Sequence, residues 1–270
     1  MNRLPSIFCQ SQSTVRKMLI RAAALVLIGG CAELPAPAAL QVAEARNDYL
    51  KRDIASARTK LDDVLTHYSM FTGAAEAYYL RSKINAETSN KAAAKRDATQ
   101  CIQLAQDKEL KAKASAMAGT LCFESGDDSS AVAYFSDAMK GLPEKPPADL
   151  VRFRYGVCLQ RLGRWDEARR QFGIILQRYP SSDLAEHAKR MYEWRGDYFS
   201  IQCGAYQDGR AAAQLASKLK RAGLDARVEP RGRLGQSLQY VLVGQYPTFV
   251  LADSALGAVR RHVSGAVIAP

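Results

Sequence analysis

From about residue 40 to residue 195, apolar residues recur at three- and four-residue intervals. Ala, Leu, Lys, Arg and Glu predominate, and few Gly or Pro interrupt the periodic stretches. That pattern predicts helix after helix. A fixed period runs through it, because Ala57, Ala94, Ala131 and Ala168 stand 37 residues apart. Twelve residues before each come the small residues Ala45, Ser82, Gly119 and Gly156. Five before, where the turn between two helices is expected, come Arg52, Ser89, Gly126 and Gly163. Four after are Leu61, Ala98, Phe135 and Phe172, and seven after are Val64, Cys101, Ala138 and Ile175. Small residues let the two helices of a hairpin approach, and the bulkier ones form a stripe buried against the next hairpin. Ser182 to Trp194, with Leu184, Ala188, Met191 and Tyr192 on one face, predicts a capping helix.

The pattern changes at Gly196-Asp197. FSIQCGAY alternates apolar and polar positions, as a half-buried strand does. Asp208 to Ala222 predicts an amphipathic helix that Gly223 ends. Asp225 to Pro230 predicts a second strand, Arg231 to Ser237 a loop, and Leu238 to Tyr246 a third strand. Val250 to Val263 predicts a second helix and Ala266 to Ile268 a last short strand. This βαββαβ order is a split βαβ fold with both helices on one face of the sheet and the other face open to solvent or ligand. Alternation sends Ile201, Cys203, Ala226, Val228, Val241 and Val243 toward the helices. It sends Ser200, Gln202, Gly204, Arg227, Glu229, Tyr240 and Leu242 outward.

Ahead of the helices lies a different segment. Arg16, Lys17 and Arg21 form a basic run, followed by the apolar stretch Ala22 to Ile28 and then Gly29, Gly30 and Cys31. A basic region, a short apolar core and small residues before a cut describe a signal peptide over 1–30, with Met18 an alternative start to Met1. The apolar stretch is far shorter than the ~20 residues that span hydrocarbon. Ile28-Gly29-Gly30-Cys31 resembles a bacterial lipobox, which implies a diacylglycerol thioether on Cys31 and a further acyl chain on its freed amine. Two or more chains suffice for stable membrane anchoring. Ala32 after the Cys resembles cargo sorted to an outer membrane. An ordinary signal peptide with Cys31 near its cut is the alternative. Residues 31–39, with Pro35 and Pro37, then read as an extended spacer.

The net charge of +11 suits anionic partners, including cell-wall polymers and phospholipid head groups, without choosing between them. Cys101, Cys122, Cys158 and Cys203 show no CxxC spacing, so zinc is not indicated. Two could pair in an oxidising compartment, with connectivity open, but the apolar helical setting of the first three favours buried free thiols. His67, His187 and His262 lie far apart in helical contexts and suggest neither a metal cluster nor a catalytic triad. Arg231-Gly232-Arg233-Leu234-Gly235 joins two strands and lacks the Lys-Ser/Thr of a phosphate loop. No enzyme activity and no cofactor are implied. The βαββαβ order is shared with RNA-recognition modules, yet the strands lack their paired stacking aromatics, and no nucleic-acid partner is expected.

Two family resemblances follow. LGRWDEARRQFGIILQRYP (162–180) resembles the second helix of a tetratricopeptide repeat, with Gly163, Trp165, Ala168, Phe172 and Pro180 on its signature positions. Gly126, Ala131, Phe135, Ala138 and Pro143 repeat the marks, while the first two units are degenerate. The resemblance implies an all-α solenoid over 40–195 that either holds an unknown protein partner or serves as a rigid spacer. Residues 197–270 resemble a SPOR domain. The carriers are Ile201-Gln202-Cys203-Gly204-Ala205-Tyr206 and Val241-Leu242-Val243-Gly244-Gln245-Tyr246. That resemblance implies binding of peptidoglycan glycan strands stripped of stem peptides, on the outer sheet face, with Gln202 among the contacts. Ser200, Tyr240, Leu242 and Arg227 share that face. Tyr240 departs from the Arg common in the family. The chain reads as multidomain, a lipid-anchored wall-binding protein whose expected function lies in the cell envelope and cell division, or else a repeat-based assembly scaffold whose last domain binds no wall.

Overall fold

A computed structural model describes residues 33–233 and 236–270. The segment expected to be a signal peptide, and Cys31, therefore lie outside the described residues. Among the described residues nine helices come first: α1 (Ala36–Leu50), α2 (Ile54–Tyr68), α3 (Ala74–Glu87), α4 (Lys91–Leu104), α5 (Lys108–Glu124), α6 (Asp128–Ala138), α7 (Ala148–Arg161), α8 (Trp165–Arg178) and α9 (Ala185–Glu193). Ala36 to Ala39, read as spacer, are the first turn of α1. Pro35 stands at its N-cap and Pro37 inside the first turn, where a missing N–H costs nothing.

The hairpin turns are built alike. Arg52, Ser89, Gly126 and Gly163 all take the left-handed conformation, with φ of 67°, 62°, 78° and 78°. The next residue's N–H then reaches back to a carbonyl five positions earlier: Asp53 to Asp48, Asn90 to Asn85, Asp127 to Cys122 and Arg164 to Leu159, at 2.8–2.9 Å. Those same residues start the second helix. Asp53, Asn90 and Asp127 accept from the backbone N–H of Ser56, Ala93 and Ser130, which satisfies one orphan donor each. The degenerate first two units thus keep the backbone of the turn without its glycine.

Helix approach follows side-chain size. A Cβ on Gly119 would come within 2.7 Å of the Phe135 ring, and one on Gly156 within 2.6 Å of Phe172. Where the residue four after the repeat Ala is Phe, its partner twelve before that Ala is Gly. Where it is Leu61 or Ala98, Ala45 and Ser82 suffice, and all four are fully buried.

The chain divides into two compact units after Met117. In the first, Ala45, Leu61, Val64, Leu80 and Ile84 anchor the core. Its polar centre is Asp97, which accepts from Arg81 Nη2 and Nε at 2.7 and 2.9 Å and from Asn85 at 2.9 Å. Arg81 also reaches Asp62 at 2.8 Å.

The second unit contains the third repeat from Ala118 within α5 onward, the fourth repeat and the C-terminal module. The module comprises β1 (Phe199–Tyr206), α10 (Gly209–Arg221), β2 (Ala226–Arg233), β3 (Gln236–Tyr246), α11 (Phe249–Arg260) and β4 (Val267–Ala269). The sheet order is β2-β3-β1-β4, antiparallel throughout. Ile201, Val241, Val243, Leu219 and Val259 form the core between sheet and helices. Within the expected loop 231–237, the described residues are instead strand, because Arg231, Gly232 and Arg233 continue the ladder opposite Leu238, Ser237 and Gln236. Pro230 sits in β2, an edge strand, where a missing donor is tolerated.

The division falls inside the repeats, not at the change of composition near Gly196, because the fourth repeat packs on the module. Trp165 stacks 4.9 Å from Phe199 and its indole N–H donates to Pro247 O at 3.2 Å. Arg169 holds Asp166 and Asp197 at 2.6 and 2.7 Å, and Arg161 lies 5.1 Å over the Phe249 ring. A small second core of Trp165, Phe199 and Ala252 results. Among the described residues no helix is long and apolar enough to cross a membrane.

Candidate functional site

The site is the sheet face turned away from α10 and α11. Cross-strand partners share a face, so the register assigns its residues. Arg227, Leu242, Gln202 and Val267 make one row across the four strands, and Glu229, Tyr240 and Ala205 make the next. Gln202 is half-buried, Ala205 is exposed and Val267 is 47 % exposed.

Gly204 was expected on this face and is not there. A bulge at Cys203 sets Gly204 opposite Val241 rather than Tyr240, so Gly204 joins the helix side and Ala205 the outer side. Strict alternation cannot foresee an inserted residue. Both signature glycines instead serve aromatic folding. A Cβ on Gly204 would meet the Tyr206 ring at 2.6 Å, and one on Gly244 would meet Tyr246 at 2.5 Å. Gly244 also needs its φ of 67° for a second bulge, opposite Phe199 to Ile201. The recurring Gly-x-Tyr wording is thus the imprint of rings folded back on backbone.

The outer face is not open, contrary to expectation. Ser200 and Leu242 are fully buried, and Tyr240 is 8 % exposed. The groups on that side are the guanidinium groups of Arg227 and Arg231 and two rings from the linker before β1. Arg227 donates to Glu229 at 2.6 Å, to the Gly244 carbonyl at 2.7 Å and to Ser200 Oγ at 2.8 Å. Ser200 Oγ in turn donates to the Gly244 carbonyl at 3.0 Å, which satisfies the bulge. The Arg227 guanidinium lies 5.4 Å from the Tyr198 ring centroid. Arg231 lies 4.5 Å over Trp194 and 5.6 Å from Tyr240, and donates to Glu229 at 3.3 Å and to the Pro270 carbonyl at 3.2 Å. Trp194 and Tyr198 meet edge to face at 5.7 Å. Burial of Glu229 favours its neutral form, but hydrogen bonds and charge from Arg227 and Arg231 prevail and hold it below the usual carboxylate range.

The five sheet residues singled out from sequence are thus brought together on one face, with Gln202 and Arg227 partly accessible and Ser200, Tyr240 and Leu242 beneath other groups. Sequence reasoning missed Trp194, Tyr198 and Arg231. The available signal was a pair of rings flanking Gly196 immediately before the first strand, where a linker would ordinarily carry small polar residues.

Such a surface can stack on apolar ring faces and form directional hydrogen bonds through an amide and guanidinium groups. Among the described residues no cluster of three or more His, Cys, Asp or Glu could hold a metal ion. The thiols are inert by placement: burial pushes Cys203 up to about 11 and Cys101 up to about 12. In the first unit an open hollow of about 770 Å³ is lined by Met70, Tyr78, Arg81, Arg96 and Gln100 among others.

Comparison with known proteins finds two families in the chain. Residues 196–269 match the family model of the SPOR domain, and residues 151–182 match that of a tetratricopeptide repeat. Two solved structures are similar to part of the chain. YrrB, described as a tetratricopeptide protein with an unusual peptide-binding site, is 22 % identical with a TM-score of 0.48, covering 56 % of this chain and 74 % of its own. MamA of AMB-1 is 18 % identical with a TM-score of 0.48, covering 58 % and 79 %. No curated protein matches the chain in sequence. Both matched families are binding modules, not enzyme families.

Proposed function

We propose that this chain, which carries a SPOR domain behind tetratricopeptide-like helices, is a cell-envelope lipoprotein that binds peptidoglycan and presents its repeats to a protein partner. The observation that supports wall binding is the C-terminal module itself: a match to the SPOR model over 196–269, with Gln202, Arg227, Tyr240 and Leu242 on the face opposite the helices. Glycan strands freed of stem peptides present N-acetyl groups, hydroxyls and apolar ring faces. An amide, guanidinium groups and aromatic rings complement all three. Cys31 would carry the lipid, with the protein facing the periplasm from the outer membrane, and glycan exposed by amidases at division sites is the proposed target. The repeats would then bring their partner to that wall.

The test is retention of residues 33–270 on purified sacculi, with and without prior amidase treatment. Retention that rises after amidase and falls with Gln202→Ala supports denuded-glycan binding. Loss of labelled acyl chain from Cys31→Ala in cells tests the anchor. A second reading, an envelope scaffold whose last domain does not bind wall, is favoured by one observation: Ser200 and Leu242 are fully covered. Failure of every form of the chain to bind either sacculus preparation would select it.

A further inference from the structure

We infer that Trp194 to Tyr198 is a strap that closes the outer sheet face, and that a glycan strand reaches Ser200, Tyr240 and Leu242 only by displacing it. The inference rests on the wall-binding reading and adds its regulation. Leu242 points away from the helices, in one row with Arg227 and Gln202, yet no part of it is exposed. An outward leucine can be dry only if something lies upon it. What lies on that side is a stacked layer: Trp194 over Arg231, Arg231 toward Tyr240, and Tyr198 over Arg227.

The guanidinium groups of this layer bond within the module. Arg227 and Arg231 make five hydrogen bonds to Glu229, Gly244, Ser200 and Pro270, so the guanidinium groups that would greet a sugar are held in place by the module. The layer is nevertheless built to come off. Trp194 Nε1 is buried and finds no acceptor among the described residues, a cost that leaving the face would relieve. The rings stack on guanidinium groups and on each other but belong to no regular element, since α9 ends at Glu193 and β1 begins at Phe199. Gly196 between them has no room for a side chain: a Cβ would meet Trp194 Cζ2 at 2.8 Å and Tyr198 Cε1 at 3.0 Å.

The repeats hold the strap at both ends. Upstream it continues α9, whose Tyr192 ring rests on Gly173 of α8. Downstream, Asp197 is bound to Arg169 of α8 and Phe199 to Trp165. With the strap down, the β1–β4 side of the face, marked by Gln202, Ala205 and Val267, stays accessible. A glycan strand would make first contact there and advance toward β3 as the rings lift.

The experiment uses residues 33–270 on amidase-treated sacculi, comparing wild type with Trp194→Ala and with Gly196→Ala, which keeps both rings but forces them apart. Removing one desolvated ring–guanidinium contact should raise retention by about fivefold or more, and the glycine variant should move the same way. As a second readout, the 19F resonance of fluorotryptophan at position 194, assigned with Trp194→Phe, should shift to a solvent-exposed value when soluble denuded glycan binds wild type. Unchanged or reduced retention in both folded variants, with a static resonance, overturns the strap while leaving wall binding intact. Absence of retention in every form sinks the wall-binding reading and the strap together.

Discussion

Gly126 and Gly163 occupy equivalent turns at the same φ of 78°, but their surroundings differ. A Cβ at Gly126 meets nothing within 4 Å. One at Gly163 would lie 3.0 Å from the Pro247 carbonyl and 3.2 Å from Thr248 Cγ2. Gly126→Ala therefore carries only the left-handed strain of roughly 1–2 kcal/mol, reduced by about 0.4–1 kcal/mol because alanine also restricts the unfolded chain. Gly163→Ala carries the same strain plus overpacking. The obstructing atom is backbone and cannot rotate away, so a further ~1–3 kcal/mol is expected. Both tryptophans, Trp165 and Trp194, belong to the second compact unit, so their fluorescence follows its unfolding in urea. With an m-value of about 2 kcal/mol/M, the midpoint of Gly163→Ala should fall below that of Gly126→Ala by about 0.5–1.5 M. Equal losses at the two positions would refute the packing of the fourth repeat's turn on the C-terminal module.

Other expectations follow from the same geometry. Ser89→Gly should stabilise the first unit by up to about 1 kcal/mol, seen as a rise of a few degrees in its thermal midpoint by circular dichroism, because Ser89 has φ of 62° without glycine's freedom. Arg81→Met should destabilise that unit by roughly 3–5 kcal/mol, because the Asp97 carboxylate would stay buried with Asn85 as its remaining side-chain donor; adding Asp97→Leu should recover most of the loss in the same denaturation assay. Cys101 and Cys203, raised to about 12 and about 11 by burial, should resist thiol reagents at pH 8 until denaturant is added, and rapid labelling in the folded chain would contradict their placement.

Much of this fold is legible in the sequence because packing imposes sizes at a fixed period. Gly119 with Phe135 and Gly156 with Phe172 are recognisable pairs, since a ring needs an absent side chain opposite it. The turn at Arg52 and Ser89 could be placed by counting alone, although neither residue advertises a left-handed φ. The strands of the C-terminal module followed from alternation, and that rule failed where a residue was inserted, at Cys203. The candidate site was legible only in part. Alternation assigns Ser200, Tyr240 and Leu242 a side of the sheet but says nothing about what lies above them. Their cover comes from an aperiodic linker whose rings find the sheet through tertiary contacts, with no local pattern to announce it.

The docking of the fourth repeat also sets how this architecture can grow. A stack of hairpins ordinarily lengthens at either end, since each unit asks only for a neighbour like itself. Here the last unit has surrendered that freedom. Its turn at Gly163, its Trp165 and its Arg169 are shaped to Pro247, Phe199 and Asp197, which no further hairpin could replace. New units can be gained or lost only upstream, where turns tolerate Arg or Ser in place of Gly. Length variants of this protein should therefore share their C-terminal hairpin and differ in how many units precede it, so that reach is free to vary while the junction with the module is conserved by physical necessity.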